Sequence, residues 1–183
     1  MRKLIPNFIL FQTAWFITIF SAVSGHPYIG PVYTVMWMML HLTFFTDQRF
    51  EEWRILFFAA VLGYIFDSLL VYMDVFTFPP QALLGSPSTI WMIALWVNLA
   101  ATLNFSLKWL QGRLVLAALL GAIAGPATYY AGSRIGAIEL QQAWSLLAIS
   151  MQWLIAMPLL LWFAQRGLRP LHQTRLINET NAD

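Results

Sequence analysis

Six apolar runs, separated by short polar or helix-breaking segments, organise the chain. They cover about Leu4–Val23, Tyr28–Phe45, Ile55–Val75, Thr89–Leu107, Leu114–Ile135 and Ala143–Phe163. Each is close to the ~20 residues that an α-helix needs to cross a hydrocarbon core of ~30 Å. The interruptions are of the kind that ends helices at an interface. Gly25-His26-Pro27 is a turn, Asp47 to Arg54 a charged loop, and Lys108 to Arg113 a short basic loop. Thr77 to Ser88 holds Pro79-Pro80 and Gly85-Ser86-Pro87 and reads as an irregular loop folded back into the mouth of the bundle. Ser88 stands where a helix cap is expected. The first run, after Arg2 and Lys3, also fits a signal peptide with Ala22-Val23-Ser24 as a cleavage site. It is longer than the ~7–15-residue core of such a signal, and Asn7 and Gln12 interrupt it, so it is read as a span.

The predicted fold is an all-α integral membrane bundle of six transmembrane helices over residues 1–166, followed by a polar tail over 167–183. Basic residues orient it. With a cytoplasmic N-terminus, nine of the ten Lys and Arg fall in cytoplasmic segments, and only Arg134 lies on the other side. Lys and Arg accumulate on the cytoplasmic side of membrane proteins, so both termini are expected there. A miscount by one span would destroy the asymmetry.

Composition agrees with this class. Of the 183 residues, 60% are hydrophobic and 10% charged, against about 25% charged in a soluble domain. The nine Trp suit two interfacial aromatic belts. A net charge of +2, with no basic cluster interleaved with aromatics, gives no surface for nucleic acid. The absence of cysteine removes disulfides, thiolate metal sites and cysteine nucleophiles.

Within so apolar a chain, Asp67 draws attention. It is the acidic side chain deep in the third run, on a stripe with Gly63, Tyr64, Ser68 and Val71 at helical spacing. A carboxylate at membrane depth costs ~2.5–3.5 kcal/mol on insertion scales and normally faces protein or water. Its bland reading is a structural hydrogen bond or ion pair; its functional reading is a site for a cation, a proton or a polar ligand head. Asn98 lies on a face of the fourth run with Trp91, Leu95 and Thr102. A hydrogen bond between helices is the commoner use of such an Asn, as of Asn104 and Gln12. The fifth run has two Gly-x-x-x-Gly pairs, Gly121 with Gly125 and Gly132 with Gly136, which allow helices to approach closely. Pro126 between them cannot donate to the carbonyl of Ala122, and a kink there would open a cavity near Tyr129 and Tyr130. Arg134, one turn on, is the cation on the same side as Asp67. If the third and fifth helices are adjacent, the two charges can meet.

His26, His41 and His172 have no partner at metal-ligand spacing, and His41 reads as a packed, hydrogen-bonded side chain. There is no nucleophile elbow, phosphate loop or dinucleotide fingerprint, which weighs against an enzyme without removing one assembled from distant helices.

Several short pieces resemble a bacterial family of small inner-membrane proteins that is defined as a domain of unknown function. They are Gly63 with Asp67, Trp91-Met92, Leu95-Trp96, Asn104 to Leu110, Gly125-Pro126, Tyr129 and Gly136-Ala137. The resemblance implies a multi-pass helical protein of the bacterial inner membrane and supplies no activity. In size and in Gly-x-x-x-Asp on a middle helix the chain is also similar to the rod-shape membrane protein D and to substrate-binding subunits of energy-coupling-factor transporters, through a short pattern.

The expectation is a protein that binds or passes a small or lipid-like ligand at an outward-facing polar site. Its ligand-binding residues would be Asp67, Tyr64, Asn98, Tyr129 and Arg134, with no cofactor and no metal. Alternatives are a lipid-modifying membrane enzyme with Asp67 as acid or base, and a scaffold in a membrane complex. The expected partners are the bilayer and that ligand, with no nucleic acid; the oligomeric state is left open.

Overall fold

A computed structural model describes residues 3–167. The tail from 168, with His172, lies outside the described residues. The fold is all-α, with six helices: α1 Leu4–Val23, α2 Ile29–Leu40, α3 Arg49–Tyr72, α4 Ile90–Ala100, α5 Leu114–Ile135 and α6 Ser145–Gly167. α1, α3, α5 and α6 are each long and apolar enough to cross a membrane, whereas α2 and α4 are shorter. A two-residue antiparallel ladder, β1 Phe76–Thr77 with β2 Glu139–Leu140, ties the α3–α4 loop to the α5–α6 loop.

Three departures from the sequence pattern have physical causes. α3 begins at Arg49, so part of the expected charged loop is its first turns. Glu51 and Glu52 lie in the first turn, where the helix dipole favours acids. Glu52 is thereby carried into the core.

The fourth run is not one helix to Leu107. α4 stops at Ala100 after 11 residues, a rise of ~16 Å, and turns lead to a short 3₁₀ segment at Lys108–Leu110. Side chains cap the carbonyls left open. Asn7 Nδ2 donates to Ala101 O at 2.9 Å, and Gln111 Nε2 donates to Leu103 O at 3.1 Å. The N-cap of α4 is Thr89, not Ser88, and no side chain caps it.

α5 runs unbroken through Pro126. The Ala122 carbonyl that Pro126 cannot satisfy accepts a hydrogen bond from Ser150 Oγ of α6, at 2.7 Å.

α5 packs along α6, α6 along α3, α3 against α4, and α1 against α2 and α4, while α5 touches α1 only slightly. The tightest join uses the first Gly-x-x-x-Gly pair. A Cβ on Gly121 would fall 2.5 Å from the Trp153 carbonyl oxygen, and one on Gly125 would fall 2.2 Å from Trp153 Cγ. The second pair serves otherwise. Gly132 has no close neighbour, and Gly136, at φ 89°, ends α5 in the left-handed conformation, with Ala137 N–H donating to Gly132 O at 2.9 Å.

Candidate functional site

Asp67 is completely buried, on the face of α3 that meets α4 and α6. Three donors from three other helices bond to it. Trp96 Nε1 of α4 donates to Oδ2 at 2.7 Å; on Oδ1, Tyr129 OH of α5 donates at 2.5 Å and Gln152 Nε2 of α6 at 3.2 Å. A buried carboxylate bonded from three other helices holds four helices in one register. Its oxygens are not presented to any open space.

The glycine one turn before Asp67 explains how Trp96 reaches it. A Cβ on Gly63 would sit 2.2 Å from Trp96 Cγ, so only a bare backbone lets the indole lie against α3 with its N–H on the carboxylate. The other face of Trp96 stacks on Trp153, with ring centroids 4.6 Å apart and planes 10° from parallel. Trp153 in turn lies in the notch at Gly125. Two stacked indoles thus fill the space between two glycines, and Gly63-x-x-x-Asp67 is a seat for one of them.

This stack closes one side of a cleft of about 660 Å³ between α1, α4 and α5. The cleft extends from Trp91 and Ile138 at one end to Trp109 and Leu110 at the other. Phe11, Phe16 and Leu95 are among the apolar side chains that line it, with Trp96, Trp153 and Tyr129 forming its inner wall. It opens outward where Gln12, Phe16, Ala124 and Thr128 on its rim are exposed. Its size is that of a ligand pocket, ~300–1,000 Å³.

Of the five expected ligand residues, only Asp67 and Tyr129 meet. Tyr64 is partly exposed, and its hydroxyl donates to Ser86 O at 3.2 Å. Asn98 is buried, but Nδ2 donates to Phe11 O at 2.9 Å and so ties α4 to α1. Arg134 is exposed near the end of α5 and forms no salt bridge with Asp67. The expected polar cluster around Asp67 therefore lacks Tyr64, Asn98 and Arg134, because helical spacing turns each toward another neighbour. Trp96 and Gln152 take their places. Gln152 was readable as a polar residue in an apolar run; Trp96 was hidden among nine tryptophans.

A second buried polar group lies at the start of α3. His41 Nε2 and Glu52 Oε1 are 3.0 Å apart, Asn104 Nδ2 donates to Glu52 Oε2 at 2.8 Å, and Gln111 Nε2 donates to Asn104 Oδ1 at 2.8 Å. His41 opens a π-helical turn, His41–Phe45, and its ring packs against Trp37, Phe45 and Phe105. The π turn continues the row Trp37, His41, Phe45 along one face. The expectation of a packed, hydrogen-bonded His41 matches this geometry. Glu52, which looked like a loop residue, is its partner.

No curated protein and no solved structure shows significant similarity to the chain. One family does. Its sequence model matches residues 4–159, which takes in all of α1 to α5, both polar groups and most of α6. The chain, with its apolar membrane-type helices, belongs to the family described as protein of unknown function (DUF2878).

Proposed function

We propose that the protein binds a lipid-like ligand, by its chain, in the cleft between α1, α4 and α5. The observation that carries this reading is the cleft itself: large, apolar, rich in tryptophan and open along one side. Such a cavity excludes charged solutes and suits a hydrocarbon chain arriving sideways from a bilayer. Asp67 is then a positioning residue. It fixes Trp96 and Tyr129, which form the wall, and does not itself touch the ligand.

The surroundings proposed for the site are a six-span bundle in the bacterial inner membrane with both termini cytoplasmic. The nine-to-one distribution of Lys and Arg supports that orientation. The shortness of α4 is compatible with a span, because irregular backbone at membrane depth is tolerated where it is buried in protein. Ala101, Thr102, Leu103 and Asn104, which follow α4, are all buried. Reporter fusions at the tail and at Pro80 should report opposite faces; a periplasmic tail would refute the topology.

The ligand reading is tested by native mass spectrometry after extraction in mild detergent. Ala124 is exposed on the cleft rim, so Ala124→Phe fills space without disturbing a helix contact. The wild type should keep a chain-bearing molecule through detergent exchange, and Ala124→Phe should lose it at unchanged thermal stability. Equal retention by the two proteins would sink the proposal.

A further inference from the structure

Amide side chains at membrane depth are costly unless bonded, because burying an amide without a partner costs roughly 2–7 kcal/mol. The long apolar helices of this protein mostly observe that rule. Asn7 donates to Ala101 O and accepts from Ser106, Asn98 donates to Phe11 O with its own Oδ1 left unpaired, and Gln152 donates to Asp67. Gln12 does not. It lines the cleft, it is exposed there, and it forms no hydrogen bond with any described residue. It stands eight residues after Leu4 in a 20-residue helix, ~12 Å along an axis of ~30 Å, and so at mid-depth. Asn98 binds the carbonyl of the adjacent Phe11, which puts Gln12 level with the last turn of α4.

Most other polar groups of the cleft are committed elsewhere, although Trp153 Nε1, in its inner wall, has no partner among the described residues. Tyr129 OH and Trp96 Nε1 are committed to Asp67, Trp91 Nε1 donates to Ala82 O at 2.8 Å, and Thr128 Oγ1 donates to Ala124 O at 2.8 Å. A lone water is a poor substitute, since an ordered water needs two to four polar partners. The cleft wall therefore offers one amide free as both donor and acceptor, on a surface that is apolar apart from indole N–H groups.

We infer that Gln12 is a specificity-determining residue that reads a hydrogen-bonding oxygen in the middle of the ligand's chain. This rests on the lipid-binding reading above and narrows it. The ligand class is an oxygenated acyl chain, with a hydroxyl, carbonyl or ether oxygen near its centre. A plain saturated chain fills the same cleft but leaves the amide unpaired, and a site that pairs a polar group discriminates against the analogue that lacks it.

The test uses the full-length protein in detergent with labelled stearate as the probe. Unlabelled stearate, 10-hydroxystearate and 2-hydroxystearate are compared as competitors. The 10-hydroxy chain should compete about five-fold better than stearate, the worth of one net hydrogen bond. The 2-hydroxy chain, with its oxygen near the head, should gain nothing. Gln12→Met, of similar length, should bring the ratio of 10-hydroxystearate to stearate affinity to about one-fold. An equal effect of all three competitors on the wild type would overturn the inference. So would an advantage that survives in Gln12→Met, or a change of oligomeric state in that variant with the advantage intact, which would assign the amide to a helix interface. Absence of saturable stearate binding would instead overturn the cleft reading beneath it.

Discussion

Replacing Gly63 with alanine adds a single methyl group and should be among the most damaging small changes in the protein. The new Cβ would lie 2.2, 2.4 and 2.5 Å from Cγ, Cδ1 and Cδ2 of Trp96, where ordinary contact is 3.4–4 Å. Those atoms are the root of a rigid ring, so the whole indole must move by about 1 Å. Its far face is stacked on Trp153, and Trp153 is itself wedged against Gly125. Overpacking of this kind costs about 1–3 kcal/mol. Moving the indole also stretches the 2.7 Å bond from Nε1 to Asp67, and a hydrogen bond to a charged group is worth ~1.5–3 kcal/mol. The sum is about 2.5–6 kcal/mol, or a fall in Tm of roughly 5–24 °C at ~2–4 °C per kcal/mol for a chain of this size. Gly132→Ala is the control. Its Cβ would meet nothing nearer than Ile138 Cγ1 at 3.9 Å, and alanine is the better helix former by ~1 kcal/mol. The assay is thermal denaturation in one detergent followed by size-exclusion fluorescence. Gly63→Ala should melt well below the wild type and Gly132→Ala at or slightly above it. Equal melting of the two variants would refute the glycine-seat account of Trp96.

Two further predictions concern the polar bonds between helices. Asp67→Leu strips the acceptor from three buried donors, at ~1–3 kcal/mol each, and should leave little folded protein. Asp67→Asn keeps the acceptor for Tyr129 and Gln152 but sets its NH₂ against the Trp96 N–H, so its Tm should fall between those of Asp67→Leu and the wild type; an Asp67→Leu protein as stable as the wild type would remove the anchoring role. Ser150→Ala should cost ~1 kcal/mol by leaving the Ala122 carbonyl unpaired, and close to nothing in a Pro126→Ala background, where residue 126 regains an N–H for that carbonyl. Equal cost in both backgrounds, by thermal or denaturant unfolding, would mean that Ser150 acts elsewhere.

The apolar pattern alone determined the class of this protein. A helix buries its own backbone hydrogen bonds, so a run of apolar residues long enough to cross a bilayer already specifies what it becomes. α1, α5 and α6 lie close to where the runs placed them, and Gly121 with Gly125 was legible as a close helix contact because a missing side chain has few other uses. The cost of a carboxylate at that depth likewise made it legible that Asp67 faces inward. What one helix face cannot reveal is which neighbour it meets. Tyr64 shares a helix with Asp67, yet its hydroxyl reaches the backbone at Ser86. Asn98 makes the helix-to-helix hydrogen bond that is the commoner use of such a residue, but its partner, the Phe11 carbonyl of α1, was not legible. Glu52 read as a loop residue because a charged stretch between apolar runs resembles a solvated turn; only the packing of His41 and Asn104 around it makes burial tolerable. α4 ends early because Asn7 and Gln111, distant from it in sequence, satisfy the carbonyls of the turn that follows. Periodicity and length act within one segment, and so the sequence carries them. Donor–acceptor pairing and the cleft left where α5 barely meets α1 arise between segments, and only the assembled bundle decides them.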